Sequence, residues 1–306
     1  MKLEELLEKK TALIIIFNHQ YVKNIAVLES IYGGRFSNIF HLMPFYGGEK
    51  RNVIPVFENY RYFQGYIVQG YRDFCDEKFS HYLFLADDLI LNPIINESNV
   101  FSTFRLDEET SYINNFRELH TGGFWHRKRE AYEFIANSFG SEGLNFLPTY
   151  DEALERLHNF NLDIQPLKHW QIYPKPSITK SPRNIYRYFH YHFNKNRNYH
   201  LPYPLIGGYS DYFVVSAGCM KDFLHYCGIF ASMRLFCELA IPTAMLLSSN
   251  KIRTFSDINF KGGAIWTREE LLDLEDQFDR DLKRFLNEFP RDILYYHPIK
   301  ISKWTY

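Results

Sequence analysis

The sequence predicts an α/β fold: a Rossmann-type mixed, mostly parallel sheet flanked by helices, with a C-terminal helical extension. Three observations predict it. Residues 11–17 (Thr-Ala-Leu-Ile-Ile-Ile-Phe) and 82–86 (Tyr-Leu-Phe-Leu-Ala) are short unbroken apolar runs, the pattern of strands buried on both faces. Each run stops abruptly at polar side chains, Asn18-His19-Gln20 in the first case and Asp87-Asp88 in the second. Between them, strand-like runs alternate with segments of helical period, which is the α/β order of elements.

The elements follow in turn. After the first strand, a helix is expected over 22–32, stopped by Gly33-Gly34. A second strand lies within 36–45, closed by Gly47-Gly48, and a third at 52–57. Residues 60–77 carry Phe63, Tyr66, Ile67, Tyr71 and Phe74 at helical spacing. The acid-ended strand comes next, and Asn92-Pro93 turns the chain. Two carboxylates at the carboxyl end of a strand mark the position where open α/β sheets bind ligands. Such carboxylates suit a hard cation shared with a phosphate, and they equally suit a solvated turn.

Residues 123–157 read as mostly helical, with Trp125, Tyr132, Phe134 and Ile135 in the core. Thr149 and Glu152 form a capping-box pattern that opens a helix over 150–158. Residues 169–181, interrupted by Pro174 and Pro176, read as irregular. The stretch 180–203 has basic residues interleaved with aromatics and no acid. It is compatible with a lid over an anionic substrate, a patch for an anionic membrane, a nucleic-acid contact, or a surface helix whose Tyr/Phe face joins the core.

Residues 212–215 read as a strand entered through Gly207-Gly208, with Ser210 and Asp211 at its start. A helix over 220–236, interrupted at Gly228, is expected to continue through 245. Glu238 is a lone acid in this apolar segment. Either Arg234, one turn earlier, satisfies it, or it has a chemical task, because an unpaired buried carboxylate is costly. Residues 251–265 hold a strand pattern. Residues 266–270 cap a last long helix to about residue 288, and His297 precedes a proline in a tail that packs back on the body. The glycine pairs at 122, 207 and 262 read as turns.

Composition narrows the function. A length of 306 residues makes one large domain or two small ones. The net charge of −1 gives no global case for nucleic acid. Cys75, Cys219, Cys227 and Cys237 form no CxxC pair and no zinc spacing, which points to a reduced cytoplasmic setting. The first ten residues read as a charged helix and not as a signal peptide. No apolar run approaches the roughly 20 residues of a membrane span. Neither G-x-G-x-x-G nor a P-loop occurs. The Asn96-Glu97-Ser98 sequon is read as incidental.

Four features together resemble the nucleotide-sugar-dependent glycosyltransferases of the GT-A fold. They are the polar-ended first strand, the Asp87-Asp88 strand, the Gly207-Gly-Tyr-Ser-Asp211 stretch and the helix bearing Glu238. The tail from His297 to Trp304 also resembles that of glycogenin-like transferases, without their Lys-Pro. The resemblance implies one domain over 1–306, with a nucleotide-binding half (1–100), an acceptor-binding half (101–265) and a C-terminal helix and tail (266–306). It implies a divalent cation, Mn²⁺ or Mg²⁺, at Asp88 and His297. It assigns donor contacts to Asn18, His19, Asp87 and Asp88, with Asp87 on ribose or sugar hydroxyls. Glu238 is the first candidate for general base and Asp211 the second, with acceptor hydroxyls as the alternative role for Asp211. The donor class is a nucleotide diphosphate sugar such as a UDP-sugar, and the acceptor a glycan or a lipid-linked hydroxyl. This sequence departs from the family's D-x-D pattern by having adjacent acids, so a metal-independent variant stays open. Peripheral membrane contact through 180–203 is a further expectation. The alternatives are a sugar nucleotidyltransferase, which lacks its glycine-rich basic loop here, and a non-catalytic relative.

Overall fold

The computed structural model describes residues 10–136, 142–177 and 181–306. The expected N-terminal helix lies outside the described residues except for Lys10, which already belongs to a strand. Seven strands build the main sheet: β1 (Lys10–Ile16), β2 (Ile39–Pro44), β3 (Val53–Val56), β4 (Phe79–Ala86), β5 (Thr110–Ile113), β6 (Tyr212–Ser216) and β7 (Lys251–Arg253). Their order across the sheet is β3-β2-β1-β4-β6-β5-β7. All run the same way except β6, which is antiparallel to both neighbours. The two apolar runs that predicted the fold lie side by side, with Ile14 opposite Phe84.

Alternation along the strands divides the core in two. Ile14, Ile16, Phe84 and Phe213 face one side, with Phe84 and Phe213 stacked at 4.8 Å. That side is covered by α2 (Phe63–Phe74), α5 (Ala217–Ser232) and α6 (Cys237–Ser248). Leu13, Ile15, Leu83, Leu85 and Val214 face the other side, covered by α1 (Val22–Tyr32), α7 (Arg268–Gln277) and α8 (Leu282–Asn287). Each fully buried side chain of this size stabilises the fold by roughly 1.5–3 kcal/mol relative to exposure. Two further helices, α3 (Tyr150–His158) and α4 (Pro182–Asn194), lie outside these layers in sequence, between β5 and β6.

Helix α1 and the capped helix α3 have the predicted bounds. In α3 the Glu152 carboxylate accepts the Thr149 N–H at 2.8 Å, while the Thr149 hydroxyl accepts the Glu152 N–H.

Several expectations are corrected. The helix expected over 220–245 is two helices. Gly228 lies inside α5, and the break comes at Arg234, whose backbone is left-handed. The break turns Leu235 and Phe236 into the core, and the Gln64 side chain donates to the Leu235 carbonyl at 2.6 Å. Arg234 pairs with Glu58 and not with Glu238. The long C-terminal helix is likewise divided, at left-handed Asp279 and Arg280, into α7 and α8. Residues 123–157 are helical mainly at His126–Tyr132 and in α3. Residues 169–181 contain the short helix His169–Ile172.

Two of the glycine pairs are strand and not turn. Gly207–Gly208 pairs with Phe116–Arg117. A Cβ on Gly208 would sit 2.6 Å from the Asn115 carbonyl oxygen, so glycine is what permits this approach. Gly262-Gly263 lies in the strand Lys261–Ala264.

Candidate active site at the carboxyl edge of the sheet

Topology alone gathers the site. Strands β1 and β4 are parallel neighbours, so Asn18 and Asp87-Asp88 emerge on the same edge. Strand β6 runs the opposite way and enters the sheet where they leave it. Asp211, just ahead of β6, therefore joins them, and its carbonyl accepts the Ala86 N–H at 2.7 Å. The strand Ile293–His297 pairs antiparallel with Ile90–Leu91, immediately after the acids. It carries His297 to the same corner, where the Ile299 N–H donates to the Asp88 carbonyl at 2.7 Å.

The two adjacent aspartates part as the strand geometry requires. Asp87 is buried, and its Oδ1 accepts the Asn18 N–H at 3.0 Å, tying the ends of β1 and β4 together. Burial and the neighbouring Asp88 charge push the Asp87 carboxyl up to about 7, against the Asn18 hydrogen bond. Asp88 turns toward the tail: its Oδ1 lies 3.3 Å from His297 Nε2. Asp211 Oδ1 is 4.0 Å from the same nitrogen. On the far side of the ring, Nδ1 is 2.5 Å from the Tyr209 hydroxyl. Burial opposes protonation of His297, but the carboxylates of Asp211, Asp88 and Asp87 outweigh it and raise the imidazole's pKa. Asp211 is raised too, by burial and by Asp88.

Glu238 stands in the first turn of α6 and lines a cavity of 590 Å³ with Tyr209, Tyr295, Arg117, Trp125 and Trp266. That volume suits a small polar ligand. No hydrogen bond or ion pair holds the Glu238 carboxylate among the described residues. Burial and Asp211 push it up to about 7, while Arg127 and Arg117 pull the other way. Arg117 lies over the Trp125 ring at 5.0 Å, and Trp266 is largely exposed at the cavity.

The same edge carries an aromatic shelf beyond β1, β2 and β3. His19 meets Tyr21 and Tyr60 edge-on at 5.5 and 5.4 Å, and Phe45 meets Phe57 at 6.2 Å. The Gln20 amide donates to the Phe45 carbonyl at 2.8 Å and links the two loops. All of these rings, His19 included, are left exposed.

The structure therefore brings together Asp87, Asp88, Asp211 and His297, with Asn18 bound to Asp87, Glu238 at the adjoining cavity and His19 on the shelf. Sequence reasoning missed Tyr209, Arg117, Trp266 and the shelf rings Phe45 and Phe57. Tyr209 had one signal, its place inside the glycine-led stretch before Asp211. The others are recruited by loops far apart in the chain.

Among the described residues no three His, Cys, Asp or Glu side chains converge tightly enough to chelate an ion alone. Asp88 Oδ1 and His297 Nε2 nevertheless lie 3.3 Å apart, with Nδ1 engaged by Tyr209, close enough for both to serve one ion once Nε2 gives up its proton. The pair fits a divalent cation that takes its remaining ligands from phosphate oxygens and water, the habit of Mg²⁺ and Mn²⁺. No protein-family model matches the chain, and no curated protein matches it. No helix among the described residues is long and apolar enough to cross a membrane.

Proposed function

We propose that the chain is a GT-A-type glycosyltransferase that moves a sugar from a nucleotide diphosphate donor to an acceptor hydroxyl. One observation carries this reading. An unpaired carboxylate, Glu238, lines a sugar-sized cavity beside a corner where Asp88 and Asp211 share one imidazole and Asp87 adds its charge.

The nucleotide base lies on the aromatic shelf, where Phe45 and Phe57 expose ring faces or edges for stacking. The diphosphate reaches the Asp88–His297 pair, which would hold the divalent cation. When bound, that ion offsets the negative charge that develops on the leaving diphosphate. Tyr209 fixes the His297 ring through Nδ1, leaving Nε2 on the side of Asp88 and Asp211. Asp87 stiffens the corner through Asn18 and would serve the donor hydroxyls. The acceptor enters the Trp125–Trp266 cavity, with Asp211 available to its hydroxyls. Glu238, with a pKa near neutrality, takes the acceptor proton as the oxygen bonds to the anomeric carbon. The bond from that carbon to the diphosphate oxygen breaks, and its electron pair leaves with the diphosphate.

The test is a thermal-shift screen of UDP, GDP, CDP and ADP, each with and without Mn²⁺. The expected result is a stabilising shift with one base, dependent on Mn²⁺ and lost in Asp88→Asn. A shift that ignores the metal retires the cation and keeps the transferase. No shift with any nucleotide overturns the reading in favour of a non-catalytic protein.

A further inference from the structure

Helix α4 (Pro182–Asn194) is amphipathic in an inverted sense. At about 100° per residue, Pro182, Ile185, Tyr186, Phe189 and Phe193 fall within one arc of roughly 100°. This is the stripe that a surface helix normally buries. Here it points away from the body: Ile185 is 42 %, Tyr186 69 %, Phe189 55 % and Phe193 85 % exposed. Contact with the body is made from the opposite side, by half-buried Asn184, Tyr188, Tyr191 and His192, and no residue of the helix is fully buried. Ile185, Tyr186, Phe189 and Phe193 thus do not form the core face that a structural surface helix would need.

Charge on this segment is as one-sided as its apolar stripe. Residues 164–210 contain Lys168, Lys175, Arg183, Arg187, Lys195 and Arg197 among their basic side chains and not one Asp or Glu, although the whole chain has a net charge of −1. Arg183 and His190 flank one edge of the apolar stripe, and Arg187 lies further round the helix, toward the body; all three are exposed. A cavity of 580 Å³ opens beside them, lined by Arg129, His169, Arg187 and His190. The short helix His169–Ile172, which packs on α4, adds Trp170, 40 % exposed.

We propose that α4 is a docking helix that lies flat on an anionic lipid bilayer. Its apolar stripe sits at the acyl boundary, and Arg183, Arg187 and the flanking cavity receive the headgroup phosphates. Apolar rings on one face, flanking basic residues and an interfacial tryptophan are the combination such helices use. An anionic bilayer fits better than a second copy of the chain, because a two-fold contact through this stripe would set the same arginines against each other.

This inference does not depend on the transferase reading, since vesicle binding requires neither donor nor metal. The experiment is co-sedimentation of the full chain with phosphatidylcholine vesicles, with and without phosphatidylglycerol. The expected result is binding to the anionic vesicles alone, weakened by salt. Phe189→Ser with Phe193→Ser is expected to lower the partition coefficient at least about tenfold, and Arg183→Glu with Arg187→Glu by a similar factor. The melting temperatures of both variants are expected to stay close to that of the parent, because all four side chains are exposed and none belongs to the core. Absence of sedimentation with either vesicle, or sedimentation that both double variants retain, overturns the proposal. So does a dimer in sedimentation velocity that Phe193→Asp dissociates.

Discussion

Glu275, in the C-terminal helical layer, is 2 % exposed and accepts two bonds from Arg280, at 2.8 and 2.9 Å. In the same layer Arg284 serves Asp279 at 2.7 Å and Glu288 at 3.1 Å. At the carboxyl edge of the sheet, Asp87, Asp88 and Asp211 crowd around the single imidazole of His297, and Glu238 has no ion pair among the described residues. Both regions bury carboxylates, Glu275 in the first and Asp87 in the second, although Asp279 and Glu288 stay in water. In one the acids are matched by guanidinium groups, and the pairs hold a helix turn and the tail in place. In the other they are left short of positive charge, and three carboxyl pKa values rise in consequence. Crowded acids of this kind favour the fold less than neutral isosteres would, so their presence points to a ligand or a reaction.

Glu238→Gln tests this contrast with the largest expected effect. If Glu238 is the base, transfer falls by about 10²–10⁴. The same substitution is expected to stabilise the protein. Its folded pKa of about 7 lies above the ordinary value of 4.5, so the ionised form is disfavoured by folding. That penalty is absent below pH 4.5, grows as pH rises through 7, and approaches about 3 kcal/mol at most. Urea unfolding at pH 8 and pH 5 reads it: the variant gains at pH 8 and matches the parent at low pH. A variant that unfolds more easily at pH 8 makes Glu238 a structural acid like Glu275.

Two buried imidazoles extend the contrast. His297 has three carboxylates nearby and its pKa is raised; His41 has only Glu29, 3.6 Å away, and burial lowers it to about 4. A lowered folded pKa means that stability is fully present above the unfolded value of about 6.5 and is lost as pH falls toward 4. The loss amounts to about 3 kcal/mol. Chemical denaturation of the parent and of His41→Asn across pH 4–7 isolates it: the variant's stability is expected to fall less steeply in acid. Parallel curves would show that His41 accepts a proton without cost.

Glu275→Gln carries the opposite sign from Glu238→Gln. It removes a charge-assisted pair whose arginine is half exposed and can regain water, so the loss is about 1–2 kcal/mol. Transfer activity is expected to stay unchanged. Equal signs for the two glutamines, read in the same urea titration, would erase the distinction between the regions.

How much of this the sequence announced depends on where the information lies. The buried runs at β1 and β4 and the capping box of α3 are local, and they declare themselves in a few consecutive residues. Asp87 and Asp88 were visible because a strand ended on them, and Glu238 because an acid interrupted an apolar run. The breaks at Arg234 and at Asp279-Arg280 were not visible, because ordinary residues adopt left-handed backbone there for the sake of contacts made by Leu235, Phe236 and the tail. The pairing of Arg234 with Glu58 spans 176 positions, and no helical spacing hints at it. The shelf was hidden for the same reason: Phe45 and Phe57 follow two different strands and meet only after the sheet has formed.

That shelf is the uncharged half of the site, and it separates binding from folding most cleanly. Phe57 is 70 % exposed, and among the described residues the one ring it meets is Phe45, edge-on. Phe57→Ala should therefore leave the unfolding free energy within about 0.5 kcal/mol of the parent. If a base stacks there, nucleotide affinity falls about fivefold, near the lower end of what one aromatic platform contributes. Calorimetric titration of the nucleotide found in the thermal screen measures this directly. A fivefold loss of affinity with unchanged stability places the base on the shelf. Unchanged affinity moves it off β2 and β3, and leaves the acids and His297 to account for nucleotide recognition without an aromatic partner.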